Sequence, residues 1–570
     1  MNIRYTLSFP EPHSHYLHVE LQVNDIRQEQ IALKMPVWTP GSYLIREFQR
    51  NIDFVTATIN EHNIRLKKRD KNTWILPLAD ATGFTVNYQL YCNELSVRTN
   101  FVNSDFVLLN GAATFLYLEG YEKKAAEIII QPYEKWDKCS TALHLAANNY
   151  WVRKSDNLDE LVDSPILLGN HQSYTFEACG VKHELAMQGI SNCNPEKLIA
   201  DLQKMIAEEV KIFGDHPCRH YTFINIHTAS TYGGLEHAHS SVNMLPRWNF
   251  DTKNYAQSIG LLSHEYFHLW NVKRIRPFEL STYNYDTESY TELLWFFEGV
   301  TSYYDDLVNR RAGILSKDEY LEIITSNLQV VMNTPGIAVQ TLAESSYDTW
   351  LKYYRKNENS NNATISYYTK GAIVAMLLDF MLMDATDSEK SLDDVMYLLY
   401  AKYKSAPETG ITEADILHAL NETGGMDFSL YIQQFIHTTT SLPIEFYFDL
   451  IGFDLLDQPK KESIFMGFSL SQKEGKFVVS EVINGFGAFA GGLNVDDEIL
   501  TIDNFKINSD FTRLYEHKKI NDTLTFLVSR QGEIKTLQLP TTADIRHQYR
   551  LVLQENLSEK QRKLLKKWLR

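Results

Sequence analysis

Cysteine is scarce in this 570-residue chain: Cys92, Cys139, Cys179, Cys193 and Cys218 are odd in number, and no two stand in a Cys-x-x-Cys pair. A cysteine zinc site or a disulfide framework needs paired thiols, so these read as ordinary reduced side chains. Long apolar runs are missing as well. No stretch approaches the roughly 18 apolar residues needed to span a bilayer. Met1-Asn2-Ile3-Arg4-Tyr5-Thr6-Leu7-Ser8-Phe9-Pro10 lacks the basic segment and apolar stretch of a secretory leader. The expected location is the cytoplasm. Basic residues are outnumbered, 55 Lys and Arg against 72 Asp and Glu, giving a formal net charge of −17. Such a surface repels polyanions, which argues against nucleic acid or an anionic membrane as the main partner.

What is present is enough apolar material, 44% hydrophobic and 12% aromatic, for several cores in a chain too long for one. Residues 1–175 alternate with period two, as in Tyr16–Val23 and Phe84–Tyr91, which predicts a β-sandwich. Within it, Trp38-Thr39-Pro40-Gly41-Ser42-Tyr43 reads as a packed turn between aromatics. In the next domain, 176–445, the period becomes helical near residue 193 and stays so to about residue 440, with start signals at Asn194-Pro195-Glu196, Ser316-Lys317-Asp318-Glu319 and Thr412-Glu413-Ala414-Asp415. The polar stretch Asn357–Asn362 reads as a surface loop, with movement on substrate binding as a second reading. Short strands return over 446–545. Residues 546–570 end in a basic helix capped by Ser558, whose apolar stripe is expected to dock on this acidic protein rather than on a membrane.

His264-Glu265-Tyr266-Phe267-His268 carries the chemistry. Residues four apart share a helix face, so both imidazoles can reach one zinc ion while Glu265 stands beside the remaining coordination position. The flanks, Ile259-Gly260-Leu261-Leu262-Ser263 and Leu269-Trp270, suit a buried helix. Catalytic zinc usually takes three protein ligands. Glu298, the carboxylate embedded within the mostly apolar run Glu292–Thr301, is the candidate third, because a buried carboxylate needs a partner. A salt bridge to Arg310 or Lys273 is the ordinary alternative. Two further stretches are weak singly: Tyr232-Gly233-Gly234-Leu235-Glu236-His237, read as an edge strand bearing an acid, and Tyr367-Tyr368-Thr369-Lys370-Gly371 at a helix start.

Together, HExxH, the later Glu in an EGxT context, GGLEH and YxKG resemble the gluzincin aminopeptidases. The GGLEH wording, the segment His268-Leu269-Trp270-Asn271-Val272-Lys273-Arg274-Ile275-Arg276-Pro277 and a PDZ-like C-terminal region resemble the glycyl aminopeptidase family in particular. The resemblance implies a multidomain α+β protein: an N-terminal β-sandwich (1–175), a thermolysin-like, mainly helical zinc peptidase domain (176–445), a PDZ-like β domain (446–545) and the basic helix (546–570). It implies one Zn2+ held by His264, His268 and Glu298, with Glu265 as general base. Glu236, with Gly233 and Gly234, would bind the substrate's free α-ammonium, and Tyr368 would stabilise the oxyanion. The implied activity is removal of N-terminal residues, with small ones such as Gly or Ala preferred.

The chemistry of these groups agrees with the roles. Bound zinc lowers the pKa of water towards about 7, within reach of a carboxylate base. A phenol with pKa near 10 stays protonated and can donate to developing negative charge. A desolvated carboxylate at the cleft end rewards a terminal ammonium, which separates aminopeptidase from endopeptidase. Tyr367 competes with Tyr368, and His237 and His239 lack a third partner as extra ligands. One departure stands out: some gluzincins place an Asp four residues after the ligand Glu, and here that position is Ser302. The histidine orienters are then Asp305, Asp306 or backbone carbonyls.

In the C-terminal region, Phe465-Met466-Gly467-Phe468 resembles a PDZ carboxylate-binding loop, able to capture an extended chain end, and Asp496 occupies a usual glycine position. Packing against the catalytic domain is the equal alternative. Two other readings of the whole stay open: a zinc endopeptidase, and a PDZ-type peptide-binding protein with a vestigial metal site.

Overall fold

The computed structural model describes residues 1–146, 149–251 and 254–570. The chain divides into two compact units. The first holds residues 1–290, 304–315 and 396–412; the second holds 291–303, 316–395 and 413–570.

The first unit opens with the β-sandwich. One sheet of eight strands runs in the order 144–145, 152–155, 126–131, 2–8, 16–24, 83–91, 52–59, 62–64, and two four-stranded sheets face the same core. Alternation sets the register: Leu21 lies opposite Val86 and Val19 opposite Tyr88, all four buried, while their neighbours point away. Leu33, Leu76, Val107 and Leu168 of the smaller sheets complete the core. After the sandwich comes a five-stranded mixed sheet in the order Gln172–Ala178, Val181–Gln188, His220–Thr228, Ser240–Pro246, Gly233–Glu236. Its third strand is buried along nearly its whole length, as expected for a central strand covered on both faces. Helices Pro195–Phe213 and Tyr255–Phe267 belong to this unit. The first starts where the cap signal predicts, Asn194 accepting from the amides of Glu196 and Lys197 with Pro195 in the first turn.

The second unit begins with a π-helical turn, Trp295–Val300, that runs directly into the α-helix Thr301–Arg311. Helix Lys317–Met332 starts with the full capping box of Ser316 and Glu319. Helix Thr369–Ala385 is buried from Lys370 to Met383, which is why its sequence carries almost no amphipathic signal. Gly299 and Gly371 let the π turn and this helix touch: a β-carbon at 299 would lie 2.5 Å from Gly371 Cα.

The PDZ-like sheet runs from Phe468–Lys473 at one edge to Glu533–Pro540. Asp496 adopts φ +67°, the left-handed conformation its glycine-like position requires. Strands Phe453–Asp457 and Tyr549–Leu553, which flank the sheet in sequence, pair with each other antiparallel. The polar stretch before Tyr368 is no free loop. Asn362 is buried, its amide donates to Val482 O (2.8 Å) and its carbonyl accepts from Asn484 N (2.9 Å), so the PDZ-like sheet is clasped to this segment. The C-terminal helix Glu559–Trp568 buries Leu564 and Trp568 fully, and Trp568 Nε1 donates to Tyr303 Oη (3.1 Å). Its stripe docks on the protein.

Among the described residues, no helix is long and apolar enough to cross a membrane, and all five cysteines are free.

Candidate active site

Helix Tyr255–Phe267 presents His264 and Glu265 within its last turn, and His268 is its C-cap. The apolar residues before the motif are buried, Ile259 and Leu262 completely, so the helix packs inward along this length. Beyond it the chain turns sharply. Val272 takes φ +136°, an uncommon value for a β-branched residue, in the loop that carries the next groups of the site.

Both imidazoles are oriented by oxygen atoms behind them. His264 Nδ1 lies 3.0 Å from Asp305 Oδ2, and His268 Nδ1 lies 2.7 Å from Asn271 O. Each Nδ1 therefore carries the proton, leaving lone pairs on the Nε2 atoms, which face one another at 3.1 Å with the rings perpendicular. Two lone pairs aimed at one place suit a shared cation. The acceptor expected four residues after Glu298 is supplied instead by Asp305, three residues further along the helix. Burial raises the pKa of Asp305, which His264 opposes, and holds that of Asp306 well above the ordinary range.

Beneath them Glu209, fully buried on helix Pro195–Phe213, accepts from Ser263 Oγ (3.0 Å). Desolvation pushes its pKa well up. The only signal of Glu209 in the sequence is a Glu on the apolar side of an amphipathic helix, too common a pattern to single it out.

The edge strand Gly233–Glu236 brings the second acid. It pairs with Ser240–Pro246, Gly234 opposite Asn243 and Glu236 opposite Ser241. Gly233 sits at φ +147°, and Gly234 approaches Glu265 so closely that a β-carbon there would stand 2.0 Å from Oε1. On its other side Glu236 meets the Pro40–Gly41 turn of the sandwich. Gly41 has φ +84°, and a β-carbon on it would lie 2.5 Å from Glu236 Oε1. Glu236, Glu265 and His268 offer ligand atoms within 4.8 Å of one another. Glu236 Oε1 is buried with no hydrogen-bond partner among the described residues. Two buried carboxylates this close need positive charge.

The neighbouring histidines serve elsewhere. His237 Nδ1 bonds Asp163 Oδ1 (2.9 Å), and the His239 ring stacks on His220. Lys273, an alternative partner for Glu298, is taken by Asp163 at 2.8 Å.

In the second unit Glu298 lies buried on the π turn, an insertion type frequent at functional sites. Tyr368 is the N-cap of the helix that crosses this turn. Burial first, and then the nearby Glu298 charge, holds its pKa well above 10. Tyr367 Oη pairs with Thr349 Oγ1 (2.9 Å) beneath Tyr353, which commits this competing phenol to a structural bond. Lys370 is buried, and desolvation lowers its pKa to about 8.

The fold and these groups define a metallo-aminopeptidase, a hydrolase of peptide bonds. Residues 4–170 match the Peptidase M61 N-terminal domain, 257–374 match M61 glycyl aminopeptidase, and 465–541 match the PDZ domain. The chain is similar to the aminopeptidase N family protein from Idiomarina loihiensis, at 30% identity over 100% of both chains with a TM-score of 0.93. The chain belongs to the M61 glycyl aminopeptidase family, and carries its PDZ domain. An M1 zinc metallopeptidase from Deinococcus radiodurans shares the fold: 11% identity, 78% of this chain and 95% of that one, TM-score 0.50. No curated protein matches. Zinc is the metal the family implies.

Proposed function

We propose that His264, His268 and Glu298 hold a single zinc ion, and that the enzyme removes the N-terminal residue of peptides, small residues such as Gly and Ala foremost. The observation that carries this reading is the facing pair of imidazole Nε2 atoms at 3.1 Å, with Glu265 and Glu236 grouped beside His268. The turn that carries Glu298 leads without a break into the helix whose Asp305 orients His264, which supports counting Glu298 as the third ligand. Two neutral imidazoles and a carboxylate are the donor set zinc accepts at a catalytic site with one position left for solvent.

Zinc supplies Lewis acidity there, polarising the scissile carbonyl and acidifying water. The chain's own groups do the rest. Glu265, fixed against Gly234, takes a proton from the attacking water and returns it to the leaving amine. Tyr368, kept protonated by burial, donates to the developing oxyanion, a contribution of about 3 kcal/mol for a well-placed donor. Glu236 pairs with the α-ammonium, and its Oε1, buried without a hydrogen-bond partner among the described residues, supports that role. The Gly41 turn against Glu236 leaves little width beside the ammonium, in keeping with small first residues. We further propose a cytoplasmic, reducing location, in keeping with five free cysteines.

The test compares a tetra-alanine peptide with its N-acetylated form on wild type and Glu236→Ala. Wild type cleaves only the free form, and Glu236→Ala raises KM for it. Equal cleavage of both forms by wild type would establish the endopeptidase reading instead.

A further inference from the structure

Asp163 lies outside the groups that do chemistry, at the C-terminal end of the short helix Leu158–Val162 in the β-sandwich. Its placement is rigid, because that helix packs on Gly111, where a β-carbon would stand 2.2 Å from Leu161 O. Asp163 Oδ1 accepts from His237 Nδ1 (2.9 Å) and from Lys273 Nζ (2.8 Å), while Oδ2 accepts from the amide of Ala238 (2.8 Å). Its side chain is 12% exposed, that of Lys273 2% and that of His237 1%. Arg274 completes the set: its Nη1 donates to both Ala238 O (2.8 Å) and Leu269 O (2.9 Å). The amide and the carbonyl of Ala238 are thus both held by charged groups. Those groups tie the two residues after Glu236 to the loop that begins one residue after His268.

Resting on the reading of Glu236 as the ammonium site, we infer that Asp163, with Lys273 and Arg274, is the clamp that fixes how far the Glu236 carboxylate stands from His268. That spacing decides how much substrate fits between the ammonium and the scissile bond. Asp163 is a positioning residue for exopeptidase specificity, and through it the β-sandwich contributes to the cleft. A surface ion pair has no such effect, because water competes for both partners. Buried, multiply bonded charges set geometry, and removing one partner is costly.

The test uses Asp163→Asn, close to isosteric, and the pair Asp163→Asn with Lys273→Met, which leaves no buried ammonium unpaired. Each is assayed with alanine 4-nitroanilide for kcat and KM, together with zinc content. Both variants should raise KM about tenfold with kcat within about twofold and zinc content unchanged, the pattern of lost ground-state binding. Placed in a Glu236→Ala background, either should add nothing further, since both act on one contact. The inference is overturned if KM stays unchanged in both variants. It is equally overturned if kcat and zinc content fall together in both, or if the full factor persists in the Glu236→Ala background. If Glu236→Ala alone leaves KM unaltered, the ammonium reading fails first, a result distinct from the others.

Discussion

Gly234 and Glu265 pack so tightly that no side chain fits between them: a β-carbon at 234 would stand 2.0 Å from the carboxylate oxygen. The edge strand and the helix bearing the motif thereby fix the position of the base. Gly234→Ala should lower kcat about a hundredfold by moving Glu265 roughly an ångström, while the edge strand keeps its pairing. Steady-state kinetics with unchanged circular dichroism checks it.

Asp305 orients His264 from behind, at 3.0 Å from Nδ1. Asp305→Ala should weaken zinc binding roughly 10–100-fold, as removal of such partners does elsewhere. Competition with a chelator of known affinity measures the change directly.

These two contacts mark the limit of what the sequence makes legible. His264, Glu265 and His268 are readable because their spacing is local and helical geometry is nearly invariant. The sandwich is readable because period two survives wherever one strand face is buried, as at Tyr16–Asn24. The π turn at Glu298 is not, since a one-residue insertion leaves no periodic trace in so apolar a segment. Asp163 is invisible for another reason: its partners, His237 and Lys273, lie far along the chain. Asp305 is legible only as one candidate orienter among several, and Gly41 only as part of a packed turn, because the partner that decides each case is equally remote. Asn357–Asn362 reads as a loop because its hydrogen-bonding partners, Val482 and Asn484, lie in another domain.

Stability should fall on mild acidification. His171, His183, His216, His227 and His239 are all held neutral by burial, each with its pKa lowered from 6.5 to about 4. Below pH 6.5 the unfolded chain binds protons that the folded chain refuses, so stability rises with pH across the window from about 4 to 6.5. A series of thermal midpoints should stay level from pH 7.5 to about 6.5 and then decline steadily to pH 4.5. Replacing His227, whose ring nitrogens have no hydrogen-bond partner among the described residues, with Leu should flatten the slope.

The C-terminal helix belongs to the fold. Trp568 is fully buried and bonded to Tyr303, whose Oη in turn donates to Asp379 (2.6 Å). Trp568→Ala should cost about 3–5 kcal/mol, the range for losing a buried large aromatic. A urea denaturation series reads that loss as a lowered midpoint.

The central claim, that two imidazoles and one carboxylate bind a single catalytic ion, is tested most directly by counting zinc. Wild type, His264→Ala, His268→Ala and Glu298→Ala are dialysed against the same weak chelator and analysed by mass spectrometry for bound metal. The account predicts one zinc per wild-type chain, and in each variant a folded protein that loses both zinc and aminopeptidase activity. A Glu298→Ala protein that keeps a full complement of zinc and its turnover would contradict it.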